Sequence, residues 1–215
     1  SMFKSNLSLS FDVKTGKVLF SKNTLILARN GQQSIPSLKS QVASTIVLKG
    51  SGSHTSIENL TIDSVIILNN SQLKLNHNWS GETIINDKSV VSIGVNGSLN
   101  NFKNINFSEF STLKLLRNYT PTKNIQLGNL TIEANVELNL TQVDTLFLSG
   151  SSSGTGKITN SSTIVYNGST KQSLEPMNYN NLIINNSSHE TQALIGSYFI
   201  ENLKIEQGKF KPGNL

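Results

Sequence analysis

The chain has 215 residues, of which 36% are hydrophobic and only 14% charged, while 28 Asn and 31 Ser fill the difference. It has no Cys, which excludes a disulfide framework, a thiolate nucleophile and any Cys-containing zinc site. The net charge of +5 comes from scattered basic residues, and only Arg29 and Arg117 are arginines, so the clustered basic surface of a nucleic-acid reader is not expected.

Asn and Ser compete with the backbone for hydrogen bonds, so this composition favours turns and short strands over helices. No apolar run approaches the roughly 20 residues of a membrane span. The opening Ser-Met reads as a cloning remnant and the end carries no closing element, so a piece of a longer chain is expected.

In chain order, residues 1–44 read as an irregular N-terminal coil or cap. Within them "FDVKTGKVLF" (11–20) resembles a hairpin turning at Gly16, and "NGQQSIPS" (30–37) is a loop. From residue 45 to 215 short runs rich in Val, Ile, Leu and Thr follow one another. Examples are "SVIIL" (64–68), "QLKL" (72–75), "SVVSI" (89–93), "STLKLL" (111–116), "DTLFL" (144–148) and "STIVY" (162–166). Each alternates polar and apolar residues, and turn clusters such as "NHNWSG" and "SGSSSGTG" separate them.

Several of these runs share Asn, an apolar residue, a variable residue and a second apolar residue. The Asn falls at Asn59, Asn104, Asn129, Asn181 and Asn202, which fits units of 21 to 26 residues when the longer gaps hold two units each. Such a period predicts an all-β, right-handed parallel β-helix with truncated final coils. In that fold Leu60 and Ile62 would share one inner corner with Leu130 and Ile132. The preceding Asn would sit in a turn, where it tolerates left-handed backbone, and successive Asn would form ladders. The alternative is an antiparallel β-sandwich, which also uses many short strands.

The segment "STIVYNGSTKQSLEPMNYNNLIINNSS" (162–188) resembles a stretch common in large surface proteins of Bacteroidetes-type bacteria. There a Tyr-x-Gly turn, a Gln and then Tyr-x-Asn-Leu-x-Ile-x-Asn recur along adhesin-like β-helical stalks. More loosely, the chain looks like the β-helices of secreted haemagglutinin-type adhesins. The resemblance implies a bacterial cell-surface location, a role in adhesion or display, and contact with glycans or another cell-surface partner as well as with the rest of a longer chain.

Candidate chemistry is sparse. Glu58, Glu82, Glu109 and Glu133 recur 24 to 27 residues apart, and Asp63 and Asp87 are 24 apart. At one coil per unit, Asp63 and Asp87 would stack about 4.8 Å apart. That is close to the roughly 5–5.5 Å of a retaining glycosidase pair. Such a stack could instead hold calcium, and no other cofactor is implied. The plainer reading is a set of solvated turn residues, and no enzyme is expected; the alternative is a polysaccharide-active enzyme or carbohydrate-binding module on the same scaffold, and a third is a structural fibre or tail-spike segment. His54, His77 and His189 lack metal-ligand spacing. The loop around Asn76, His77, Asn78 and Trp79 is the candidate ligand site: an exposed indole would stack on a sugar face while amides bond its hydroxyls. The competing reading folds Trp79 over a coil edge to shield the core. Tyr119, Tyr166, Tyr179 and Tyr198 carry the same ambiguity, whereas Phe102, Phe107 and Phe147 read as internal stack residues.

Overall fold

The structure is a computed structural model that describes residues 18–21, 24–28, 31–35, 38–41, 45–160, 163–194 and 196–212. Among them there is no helix; the regular structure consists of strands that pair in parallel, stacked as a β-solenoid of about nine turns. The antiparallel sandwich is thereby excluded. The residues 11–17 of the expected hairpin lie outside the described ones. The chain divides into two compact units, Ser1–Asn106 and Phe107–Leu215.

In the first unit three short strands make one turn. β1 (Val18–Ser21), β2 (Thr24–Ala28) and β3 (Gln32–Ile35) are followed by β4 (Leu38–Gln41), β5 (Thr45–Lys49) and β6 (Ser53–Ser56). β7 (Leu60–Thr61), β8 (Ser64–Leu68) and β9 (Gln72–Leu75) form the next turn. β10 (Trp79–Asp87) covers two faces of the turn after it, followed by β11 (Val90–Ile93) and β12 (Phe102–Phe107). One sheet runs β2, β5, β8, β10, β12, and a second contains β3, β6, β9 and β11. Regular turns therefore begin before residue 45, since β2 pairs in register with β5 from Thr24–Thr45 to Ala28–Lys49.

The second unit repeats the plan. Its strands are β13 (Thr112–Leu115), β14 (Ile125–Leu127), β15 (Asn129–Ile132), β16 (Glu137–Asn139), β17 (Thr145–Leu148) and β18 (Ser152–Gly154). Then come β19 (Lys157–Thr159), β20 (Thr163–Tyr166), β21 (Gln172–Leu174), β22 (Asn178–Ala193) and β23 (Phe199–Lys211). One sheet orders β14, β17, β20 and β22, with β23 on β22; β13 pairs with β15, β15 with β18, and β16 with β19.

In–out alternation explains most of the strands, among them β5, β8, β13 and β17, whereas β12 and β20 depart from it. Inward residues stack in columns such as Ile46–Val65–Ile84 in the first unit and Leu146–Ile164–Leu182 in the second, all fully buried. Each such side chain removed from water contributes about 1.5–3 kcal/mol. The column ends at β23, where Leu203 and Ile205 continue the rows of Leu182 and Ile184 but remain 45% and 51% exposed.

The step between stacked residues is shorter and less regular than expected. Thr45 pairs with Ser64, nineteen residues on; Thr112 pairs with Asn129, seventeen on; Leu130 pairs with Ser152, twenty-two on. Corners absorb the variation, while the buried faces hold the register. The recurring Asn motif consequently does not mark one corner. Leu60 lies in β7, paired with the start of β10, whereas Leu130 lies in β15, between β13 and β18. Nor are the motif asparagines left-handed: positive φ occurs instead at Asn69 (58°), Asn70 (66°), Asn135 (61°) and Asn160 (52°), in or beside turns. The motif is the in–out alternation itself, which any face of a turn can carry.

Candidate functional site

Trp79 begins β10 opposite Leu60, is 1% exposed, and donates its indole N–H to the Glu58 carbonyl at 3.1 Å. Its ring is a core plug, so the sugar platform expected there is absent. Tyr119, Tyr166 and Tyr179 are likewise buried, and burial pushes the Tyr166 hydroxyl up to about 12 despite its 2.7 Å bond with Ser152. Phe102 and Phe107 are internal as expected, but Phe147 points outward between buried Leu146 and Leu148.

The rest of the 76–79 segment is held by the preceding turn. The backbone N–H groups of Asn76 and His77 both donate to Ser56 Oγ, at 2.8 and 3.2 Å. His77 Nδ1 lies 3.0 Å from the Ser56 carbonyl oxygen, so Nδ1 carries the proton in that bond. Asn76 packs against Gly94, where a Cβ would fall 2.0 Å from its Oδ1. Only Asn78 of the four presents an exposed side chain.

Asn78 belongs to a ladder. Its backbone N–H donates to Asn59 Oδ1 at 3.0 Å, and its own Oδ1 accepts from Asn101 Nδ2 at 3.1 Å. All three asparagines are exposed. With Leu60, Thr61 and Ser80 they line an open groove of about 520 Å³, in which Thr61 Oγ1 and Ser80 Oγ lie 3.1 Å apart. Close turn stacking builds this wall: a Cβ on Gly81, the next residue, would sit 1.8 Å from the Ile62 carbonyl oxygen. The second unit has its own rungs, Asn139 with Asn160 at 3.3 Å and Asn181 with Asn202 at 3.1 Å. Of the motif asparagines, Asn181 and Asn202 form such an amide–amide rung, whereas Asn59 and Asn129 each accept a backbone N–H, of Asn78 at 3.0 Å and of Ser151 at 2.8 Å, and Asn104 lies exposed on β12.

Asp63 and Asp87 do not converge. The Asp63 carbonyl accepts from the N–H groups of Glu82 and Thr83, and Asp87 pairs with Leu68, so Asp63 sits level with Glu82 and five residues away from the level of Asp87. At about 3.3 Å per residue that is roughly 16 Å along the strand. The calcium stack and the glycosidase pair both required a 24-residue coil; the local step is nineteen. Among the described residues no group of three His, Asp or Glu side chains is placed to hold a metal. Glu82 pairs instead with Lys103 and Glu133 with Lys114, each at 2.5 Å. Glu109 accepts four bonds, from the N–H and hydroxyl of Ser169 (3.0 and 2.6 Å) and of Thr170 (3.0 and 2.8 Å). Partial burial pushes its carboxyl up, but these donors outweigh that and hold it below the ordinary carboxylate value.

Sequence reading missed Asn101, Ser80 and Thr61. The signal was present, as Asn and hydroxyl residues one turn apart, but it becomes visible only when the local step is known. No protein-family model, curated protein or solved structure matches the chain.

Proposed function

We propose that the chain is a segment of an exported cell-surface adhesin or stalk that holds glycans along its amide- and hydroxyl-lined walls. The observation that carries this reading is the exposed Asn59–Asn78–Asn101 ladder in its open groove. Amides present donors and acceptors together, which suits the paired hydroxyls of a sugar. Repetition at the turn spacing lets individually weak contacts add along one polymer. An enzyme on this scaffold would need carboxylates within reach of one bond, and the separation of Asp63 and Asp87 along the strand favours binding over hydrolysis.

The test is a glycan-array screen of the wild-type chain beside Asn78→Ala and Asn101→Ala, with circular dichroism as the folding control. Binding by the wild type that both variants lose is the expected result. A well-folded wild type that binds no glycan, or variants that bind as the wild type does, would remove the glycan role and leave a stalk.

A further inference from the structure

Outward positions on a solenoid are ordinarily polar, because the core takes the alternate residues. The sheet containing β3, β6, β9 and β11 obeys this: its middle outer column is Ser34, Thr55, Lys74 and Ser92. The sheet β2, β5, β8, β10 does not. Its middle outer column is Ile26, Val47, Ile66 and Ile85, all half-buried. Beside it, Thr45, Ser64 and Thr83 form a column of hydroxyl residues. On the other side stand Lys49, Leu68 and Asp87, with the cation and the anion one strand either side of β8. Among the described residues neither Lys49 nor Asp87 has an ion-pair partner within the chain.

We propose that this face packs against the same face of a second copy of the chain, about a two-fold axis running along β8. A rotation about that line leaves each residue at its place along the strand and exchanges the strands on either side. β5 then faces the β10 of the second copy. Lys49 meets Asp87 twice, once on each side of the axis. Val47 meets Ile85 twice, and Ile66 meets its own counterpart at the centre. Strands run in one direction across the interface, which is the aligned mode of sheet packing, at about 10 Å separation. The charge order selects this occupant: a second copy in this orientation neutralises both charges, whereas rotation about an axis perpendicular to the strands would bring neither pair together. Three facing strands of five residues cover only about 17 by 10 Å, so the association is weak and reversible. It does not depend on the glycan reading.

Sedimentation equilibrium on the full 215-residue chain, up to about 1 mM, tests the proposal. The wild type is expected to show a monomer–dimer equilibrium. Ile66→Arg, which sets two like charges across the axis, is expected to abolish the dimer. Lys49→Asp and Asp87→Lys are each expected to weaken it at least tenfold, about 1.4 kcal/mol, and the double reversal Lys49→Asp/Asp87→Lys to restore it to within about threefold. Thermal melts confirm folding of each variant, and if Ile66→Arg fails to fold, the charge series decides alone. A wild type that stays monomeric throughout, a dimer indifferent to the single charge reversals, or a double reversal no stronger than the singles would overturn the proposal. Because glycan binding is read by Asn78 and Asn101, on a different strand face, failure here leaves that reading intact.

Discussion

One buried polar residue in each unit meets a different fate. In the first, His54 on β6 is 0% exposed, in register with Leu73, and both ring nitrogens are buried without a hydrogen-bond partner. In the second, Gln172 on β21 is equally buried but fully engaged. Its Nε2 donates to the Leu148 and Gly150 carbonyls at 2.9 and 2.6 Å, and its Oε1 accepts from the Gly168 N–H and from Asn186 Nδ2 at 3.1 and 3.0 Å. A solenoid interior is narrow and dry, so a polar side chain there either organises its surroundings or weakens them. Gln172 fastens a corner by closing four backbone and side-chain groups around it. His54 occupies an aliphatic position and gives nothing back, and burial accordingly lowers its pKa so that it stays neutral.

The largest effect expected from this contrast is at Gln172. Gln172→Leu keeps the volume but strands the Gly150 carbonyl and the Gly168 N–H, and takes one of two bonds from the Leu148 carbonyl and from the Asn186 amide, which keep the Asn167 N–H and the Thr170 carbonyl. At about 1–3 kcal/mol per stranded group, a loss of at least about 2 kcal/mol is expected in urea unfolding. A loss below about 1 kcal/mol would show that the corner re-forms its bonds without the amide.

His54→Leu is expected to act in the opposite direction, raising stability by about 1–2 kcal/mol at pH 7, because it removes an unpaired polar group from an apolar column. The pH profile sharpens the point. The folded pKa is depressed below the ordinary value of about 6.5, so below that pH the unfolded chain binds a proton that the folded chain refuses. Stability is therefore fully present above about pH 6.5 and lost as pH falls below it. The difference between wild type and variant should widen on acidification; a constant difference would mean that His54 is not the titrating group.

Glu109 is the intermediate case, a partly exposed carboxylate with four donors. Glu109→Gln is expected to cost about 1 kcal/mol, since the amide can accept only part of the set. Its folded pKa is depressed, so its contribution is present above the ordinary carboxylate value of about 4.3 and lost as pH falls through the lower folded value. Urea midpoints of wild type and variant should therefore converge in acid, and parallel curves would count against the nest of Ser169 and Thr170 as its cause.

The regular exchange of short β-rich runs and Asn-Ser-Gly clusters, returning with a period of about two dozen residues, favoured parallel stacked turns over a sandwich, because stacked turns repeat one short unit while a sandwich needs no such period. Asparagine ladders were expected from the same reasoning, but of the motif asparagines only Asn181 and Asn202 bond each other, and the longer ladder runs through Asn78 and Asn101. The composition also excluded cysteine chemistry outright. What the sequence did not carry was the pairing register. Corners vary in length, so the local step drifts from seventeen to twenty-two residues, and fixed spacings such as Asp63 to Asp87 mislead. The Asn-apolar-x-apolar motif reads as a repeat position only until the three faces of a turn are distinguished, since alternation has a period of two on every face. Trp79 shows the same limit: a polar loop around an indole gives no sign of whether the ring turns outward or closes the core over Leu60, and tertiary stacking chose the core because burying so large a ring outweighs any single polar contact it could make outside.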